Sequence, residues 1–186
     1  MDILKLNAIS PLAGKILQGY NLVDESAAPA GILVRSANMA EYAVPSSLIA
    51  VARAGAGVNN IPHADYAKQG VCVFNTPGAN ANAVKEMVIC ELFLAARNIV
   101  EGVEWARTLQ GDDVAKQVEK GKKQFVGHEI TGKTLCVLGL GAIGRKVAVA
   151  ANALGMEVVG YDPYLSQAAK QEIPFVTVFD TVATAI

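Results

Sequence analysis

Short apolar runs recur along this chain, and most stretches between them carry helical spacing. Lys5 to Ile9, Gly31 to Arg35, Ile49 to Arg53 and Val71 to Asn75 read as strands, with helix-like segments from Pro11 to Leu17 and from His63 to Gln69. This alternation predicts parallel strands joined by crossover helices. Pro11, Pro45 and Pro62 sit near expected helix starts, where a missing N–H is tolerated. From about Asn82 to Leu109 the apolar residues Val84, Val88, Leu92, Ala95, Ile99 and Val103 fall at steps of three and four, with Trp105 beyond them. They predict one helix of roughly 25 residues, about 40 Å long at ~1.5 Å per residue, which is long enough to bridge two domains. Gln110 to Gly127 is polar, charged and glycine-containing, and reads as a surface excursion. A second alternating stretch follows: strand Thr134 to Leu138, helix Arg145 to Leu154, strand Glu157 to Tyr161, helix Ser166 to Glu172 and strand Phe175 to Val178. A final helix start at Asp180 to Ile186 has Asp180 as its expected cap.

Composition narrows the class. Of 186 residues, 52% are apolar and 18% charged, enough for a true core and unlike a disordered chain. The net charge of −1 gives no reason to expect a nucleic-acid partner, and the cations from Lys120 to Lys123 read as a solvated loop. No apolar stretch reaches membrane-spanning length. Met1 to Lys5 lacks the basic start and apolar run of a secretory signal, so a cytoplasmic location is expected. Cys72, Cys90 and Cys136 lie in apolar runs and read as buried small hydrophobes; no disulfide and no metal site are expected.

The chemistry concentrates at Gly139-Leu140-Gly141-Ala142-Ile143-Gly144, which lies between a strand and a helix and is followed by a second strand ending in Asp162. Each part has a role on a dinucleotide. Gly139 permits a tight turn, Gly141 lets backbone approach a pyrophosphate, and Gly144 lets helix and strand pack closely. The helix start near Ala142 offers free N–H groups and a positive dipole end. Asp162 lies where a carboxylate accepts the ribose hydroxyls, and favours NAD over NADP. In the first half, Arg53-Ala54-Gly55-Ala56-Gly57-Val58-Asn59-Asn60 follows a strand directly. Gly55 and Gly57 allow backbone amides to converge on an anion, and Arg53 can add a bidentate contact. Arg35 and Ser36 end a neighbouring strand, and Asn75-Thr76-Pro77-Gly78-Ala79-Asn80 ends the next. Three such strand ends describe a ligand cleft.

On Arg53 to Pro62, Val73 to Asn82 and Gly132 to Tyr164, the chain resembles the D-2-hydroxyacid dehydrogenase family, and within it the phosphoglycerate-oxidising branch. The resemblance covers residues 1 to about 164. It implies an α/β fold in two parts. Residues 1–95 would be an incomplete flavodoxin-like substrate domain, 82–109 an interdomain helix, and 110–186 the first half of a doubly wound Rossmann-type NAD domain. Ala56, Gly57 and Val58 would hold the substrate carboxylate by their amides, with Arg53, Arg35 and Ser36 near the substrate anions. Thr76 would approach the nicotinamide, Ala142 and Ile143 the pyrophosphate, and Asp162 the ribose. The implied reaction converts 3-phosphoglycerate and NAD to 3-phosphohydroxypyruvate and NADH, opening serine synthesis, with a homodimer as the complete form. A dehydrogenase of another 2-hydroxy acid, or a non-catalytic NAD-binding module, is the alternative.

Such an oxidation needs a base for the hydroxyl proton and a cation for the carboxylate. The family's Arg, Glu and His for these roles would lie beyond Ile186, so no catalytic residue is assigned here. His63 and His128 match none of those positions. A sheet interrupted in this way would leave an open edge and exposed apolar faces, and the isolated chain is expected to be poorly soluble or partner-dependent.

Overall fold

Five parallel strands organise the first part of the computed structural model, which describes residues Met1–Ile186. They are β1 (Asp2–Leu6), β2 (Asn21–Val23), β3 (Gly31–Val34), β4 (Ala50–Arg53) and β5 (Cys72–Phe74), in the order β2-β1-β3-β4-β5. This is the flavodoxin-like order, with its switch point between β1 and β3, where ligands of open α/β sheets bind. Helix α1 (Leu12–Ile16) connects β1 to β2, and α2 (His63–Lys68) connects β4 to β5. In register, Ile32 stands beside Leu4 and Val51, and these side chains join Val34, Met39, Ile61, Tyr66 and Val71 in one core. β2 was not foreseen, because three residues at a half-exposed edge carry too little pattern. β1 lies three residues earlier than the apolar run suggests, since Asn7 takes a left-handed conformation (φ 68°) and ends the strand. Pro45 starts a turn, not a helix; the Leu48 N–H closes it on the Pro45 carbonyl at 3.0 Å.

The second part holds α3 (Ala81–Arg97), α4 (Ile99–Thr108), α5 (Val114–Gly121), β6 (Thr134–Leu138), α6 (Ala142–Ala153), β7 (Glu157–Tyr161), α7 (Gln167–Gln171), β8 (Thr177–Val178) and α8 (Val182–Ala185). Its three strands are parallel in the order β6-β7-β8. Leu140, Ala148, Ala151, Val158 and Ile173 form the core, with Leu92, Phe93 and Ala96 of α3 packed against it.

Several expectations are corrected. The compact units are Met1–Asn80 and Ala81–Ile186, so the first ends well before residue 95 and the whole of α3 belongs to the second. The single long helix is two helices broken at Asn98, which sits in the left-handed region (φ 49°, ψ 39°) that asparagine tolerates. The break is sealed locally: the His128 N–H donates to the Ala96 carbonyl at 2.7 Å, and the Asn98 side-chain amide donates to the Val126 carbonyl at 3.3 Å. Residues 110–127 are largely helical, comprising α5 and a short 3-10 turn (Lys122–Phe125) that brings Phe125 against Trp105 at 5.1 Å between ring centres. Cys72 and Cys90 are exposed and Cys136 half-buried, because Cys72 lies on the edge strand β5 and Cys90 on an open side of α3. The cap of the last helix is Thr181, whose hydroxyl accepts from the Thr184 N–H at 3.2 Å, and not Asp180. No helix is long and apolar enough to cross a membrane.

Candidate functional site

In the first unit, the loop after β4 is tied down from several sides. The Ala54 N–H donates to the Val34 carbonyl at 2.8 Å, and the Thr76 N–H to the Gly55 carbonyl at 2.9 Å. The Asn75 side-chain amide donates to the Ala56 carbonyl at 2.6 Å, and the Thr76 hydroxyl to the Arg53 carbonyl at 3.2 Å. After these bonds the N–H groups of Ala56, Gly57 and Val58 have no partner within the chain. Three successive free donors on a braced loop form an anion-binding concavity.

Arg53 has two of its guanidinium nitrogens engaged within the chain. Its Nε donates to the Arg35 carbonyl at 3.0 Å and its Nη1 to Asn59 Oδ1 at 3.2 Å. A Cβ at Gly57 would stand 2.8 Å from that Nη1, so glycine is what lets the guanidinium lie under the loop. Arg53 therefore shapes the loop and lends it positive charge. The Arg35 side chain makes no ion pair and is exposed at the end of β3. The Ser36 N–H is taken by Asn7 Oδ1 at 3.2 Å, which also accepts from Ala37 at 2.5 Å, leaving only the Ser36 hydroxyl for a ligand. Asn7, Asn59 and Asn75 were missed by sequence reasoning. Asn7 and Asn75 bond across to the ends of other strands, and Asn59 ties the loop back to the end of its own strand; spacing along the chain carries no sign of either.

In the second unit, Gly139 turns with φ 93°, a conformation other residues rarely adopt, and its N–H donates to the Tyr161 carbonyl at 2.8 Å. A Cβ at Gly144 would lie 2.0 Å from the Gly139 carbonyl oxygen, so α6 packs directly on the turn. Around Gly141 there is open space where a Cβ would stand. Gly141 caps α6 without a side-chain bond, and the first helical bond runs from the Arg145 N–H to the Gly141 carbonyl at 3.1 Å. The N–H groups of Ala142 and Ile143 are consequently free, as helix starts leave them. Asp162 ends β7 beside the turn. Its Oδ2 accepts from the Leu140 N–H and its Oδ1 from the Tyr164 N–H, each at 2.8 Å. Each oxygen keeps a lone pair, and the half-exposed carboxylate can take ribose hydroxyls. Arg145, also missed, bonds the Leu140 carbonyl through Nη1 and Glu172 through Nε, both at 3.0 Å. Its place directly after Gly144 was the available signal.

The two histidines are placed differently. His63 lines an open groove of about 630 Å3 together with Val58 of the glycine loop, Asn75, Val71, Val73 and Phe74. His128 lines a separate pocket of about 200 Å3 with Phe93, Arg97 and Leu154. No group of three or more His, Cys, Asp or Glu is placed to hold a metal.

Strand, glycine turn, free helix start and acid together define a dinucleotide-binding unit, and the residues present fit that ligand. The chain belongs to the D-isomer-specific 2-hydroxyacid dehydrogenase family, whose NAD-binding domain matches residues 89–185. It is 34% identical to the D-3-phosphoglycerate dehydrogenase of Rattus norvegicus over 88% of this chain and 32% of that protein. It is 32% identical to that of Archaeoglobus fulgidus over 98% of this chain and 34% of that protein. The chain thus spans about a third of the length of these relatives. In fold it is similar to the apo D-mandelate dehydrogenase of Rhodotorula graminis, at a TM-score of 0.74 and 21% identity over 99% of this chain and 62% of that one. It is also similar to the NAD+-bound 3-phosphoglycerate dehydrogenase of Entamoeba histolytica, at 0.66 and 22% over 98% and 63%.

Proposed function

We propose that this chain supplies the carboxylate-binding loop and the NAD-binding turn of a dehydrogenase that oxidises 3-phosphoglycerate to 3-phosphohydroxypyruvate, the reaction that opens serine synthesis. The observation that carries the reading is the row of free amides at Ala56, Gly57 and Val58, set over the Arg53 guanidinium with Arg35 exposed at the neighbouring strand end. The relatives named D-3-phosphoglycerate dehydrogenase support the choice of a phosphorylated acid. When bound, NAD accepts a hydride from the carbinol carbon. This chain's residues bind and orient: the loop amides hold the carboxylate, Arg35 attracts the distal phosphate, and Asp162 selects the unphosphorylated ribose. The hydroxyl proton must leave with the hydride to a base, and His63 is the histidine that shares a groove with Val58 and Asn75. We further propose that the protein is cytoplasmic and works as a homodimer.

The reading is tested in two stages. NADH is titrated calorimetrically into the chain, and turnover of 3-phosphoglycerate, lactate and glycerate is then compared in the whole gene product. Saturable NADH binding with preference for 3-phosphoglycerate is the expected outcome. Preference for an unphosphorylated acid would move the assignment to another 2-hydroxy acid. NADH binding with no turnover would favour a nucleotide-binding module.

A further inference from the structure

We infer that Arg145 is a positioning residue that sets the direction of the pyrophosphate-binding amides. The inference rests on the NAD reading and goes beyond it by naming how the turn is held. Leu140 is the fastened residue of the turn. Its side chain is fully buried, its N–H is held by Asp162 Oδ2 at 2.8 Å, and its carbonyl is held by Arg145 Nη1 at 3.0 Å. No peptide bond in the chain is cis. In a planar trans peptide the carbonyl of one residue and the N–H of the next point in opposite directions. Drawing the Leu140 carbonyl onto Arg145 therefore turns the Gly141 N–H away from the guanidinium, and that N–H, like those of Ala142 and Ile143, has no partner in the chain.

Arg145 is itself anchored. Its Nε bonds Glu172 Oε2 at 3.0 Å, and Glu172 caps the C-terminal end of α7, so the end of α7 is connected through Arg145 to the glycine turn. A cation in the first turn of a helix opposes the helix dipole. Glu172 offsets that charge, and the two hydrogen bonds give the arginine a geometric task. Arg145 keeps 26% of its side-chain surface while Glu172 keeps 62%, so the bond to the carbonyl is the better shielded of the two. A planar fork can serve both acceptors at once, whereas a lysine ammonium on a flexible stem cannot hold the same pair of directions.

The test uses the full 186-residue chain with Arg145→Gln, Arg145→Lys and Glu172→Gln. The probes are NADH, which carries the pyrophosphate, and adenosine, which does not. Both arginine variants are expected to lose about tenfold in NADH affinity, the scale of one well-placed charged hydrogen bond. Adenosine affinity should stay within about twofold, and the Leu140 amide should exchange faster with deuterium in the absence of any ligand. Glu172→Gln, which leaves the Leu140 bond in place, should lose about threefold and serves if the arginine variants fold poorly. The inference is overturned if NADH and adenosine weaken together, if NADH affinity is unchanged, or if lysine restores it, since charge alone would then suffice. Failure of the unaltered chain to bind NADH would instead remove the NAD reading itself, before any variant is compared.

Discussion

Replacing Gly144 by alanine puts the packing of the nucleotide turn to a direct test. The new Cβ would stand 2.0 Å from the Gly139 carbonyl oxygen, 3.0 Å from its carbon and 3.1 Å from Val137 Cγ1. Two of these neighbours are backbone, so α6 or the turn must move by about 1.4 Å to bring the 2.0 Å approach to ordinary contact. Overpacking of this kind costs roughly 1–3 kcal/mol. For a chain of this size that is a fall in melting temperature of roughly 2–12 °C. The shift also carries the free amides of Ala142 and Ile143 off the pyrophosphate, so NADH affinity should fall at least about tenfold, because binding donors tolerate little misplacement. Gly141→Ala is the control. Gly141 has φ −70° and ψ −160°, which alanine adopts freely, and nothing lies within 4 Å of its would-be Cβ. That variant should melt with the parent and still bind NADH poorly, since the methyl fills space kept for the ligand. Thermal melts with and without NADH, together with calorimetric titration, read both effects. A Gly144→Ala chain that melts within about 1 °C of the parent and binds NADH equally well would refute the packing argument.

Other perturbations bear on different parts of the molecule. Asp162→Asn leaves one oxygen for the two N–H groups of Leu140 and Tyr164 and turns an amide donor toward the other, so it should lower stability by about 1–2 kcal/mol. The same variant should narrow the preference for NADH over NADPH, measured by parallel titrations; an unchanged ratio would remove Asp162 from ribose recognition. Arg53→Lys breaks the paired contacts to the Arg35 carbonyl and Asn59, and should cost about 1 kcal/mol, or roughly 2–4 °C in the melt. Hydrogen exchange over residues 54–59 should rise with it, and an unchanged pattern would show the brace to be idle. Tyr66 is buried, with its hydroxyl donating to the Met39 carbonyl at 3.4 Å, and burial, helped by Tyr42, raises its pKa above the usual 10.0. The unfolded chain then loses the phenol proton first as pH rises, so stability is full below about pH 10 and declines above it. Tyr66→Phe should flatten that alkaline slope in denaturant titrations across pH, and a slope equal to the parent's would place the effect elsewhere.

Much of this fold was legible in the sequence where an element had both a strong pattern and a reason to stop. Gly31 to Arg35 and Ile49 to Arg53 are apolar enough to be buried strands, and they pair in parallel in the structure. The turn from Gly139 to Gly144 was readable because Gly139 needs a positive φ and Gly144 has no room for a Cβ. The break at Asn98 was not, because periodicity continues through it, and the cause is a contact with residues 126–128, remote in sequence. The exposed Cys72 and Cys90 failed for a related reason. An apolar neighbourhood along the chain says nothing of whether a strand lies at an edge or a helix side is covered. At the site, residue types that bind through backbone amides were found by their glycines. The bonds by which Asn7, Asn59, Asn75 and Arg145 fasten the loops were not legible in the sequence, because each depends on a partner set by the fold.

On the proposed reading, the two units reach anion binding by the same physical route. In each, the donors offered to the ligand are backbone N–H groups at a strand end, and in each an arginine beside the loop is bonded to a carbonyl: Arg53 on Arg35, Arg145 on Leu140. An arginine facing the ligand directly would be a stronger point charge, but a long side chain must be ordered on binding and its hydration shed. Amides fixed by the backbone are already aimed, and their dipoles need little reorganisation when the anion arrives. With the guanidinium held beside the loop, its positive field remains while its flexibility is removed. Specificity then falls to groups at the margin of each loop: the Arg35 side chain and Ser36 hydroxyl in one unit, the free lone pairs of Asp162 in the other. On this account, exchanging marginal residues should alter which anion or nucleotide is preferred, and exchanging the bracing arginines should weaken binding of every anion alike.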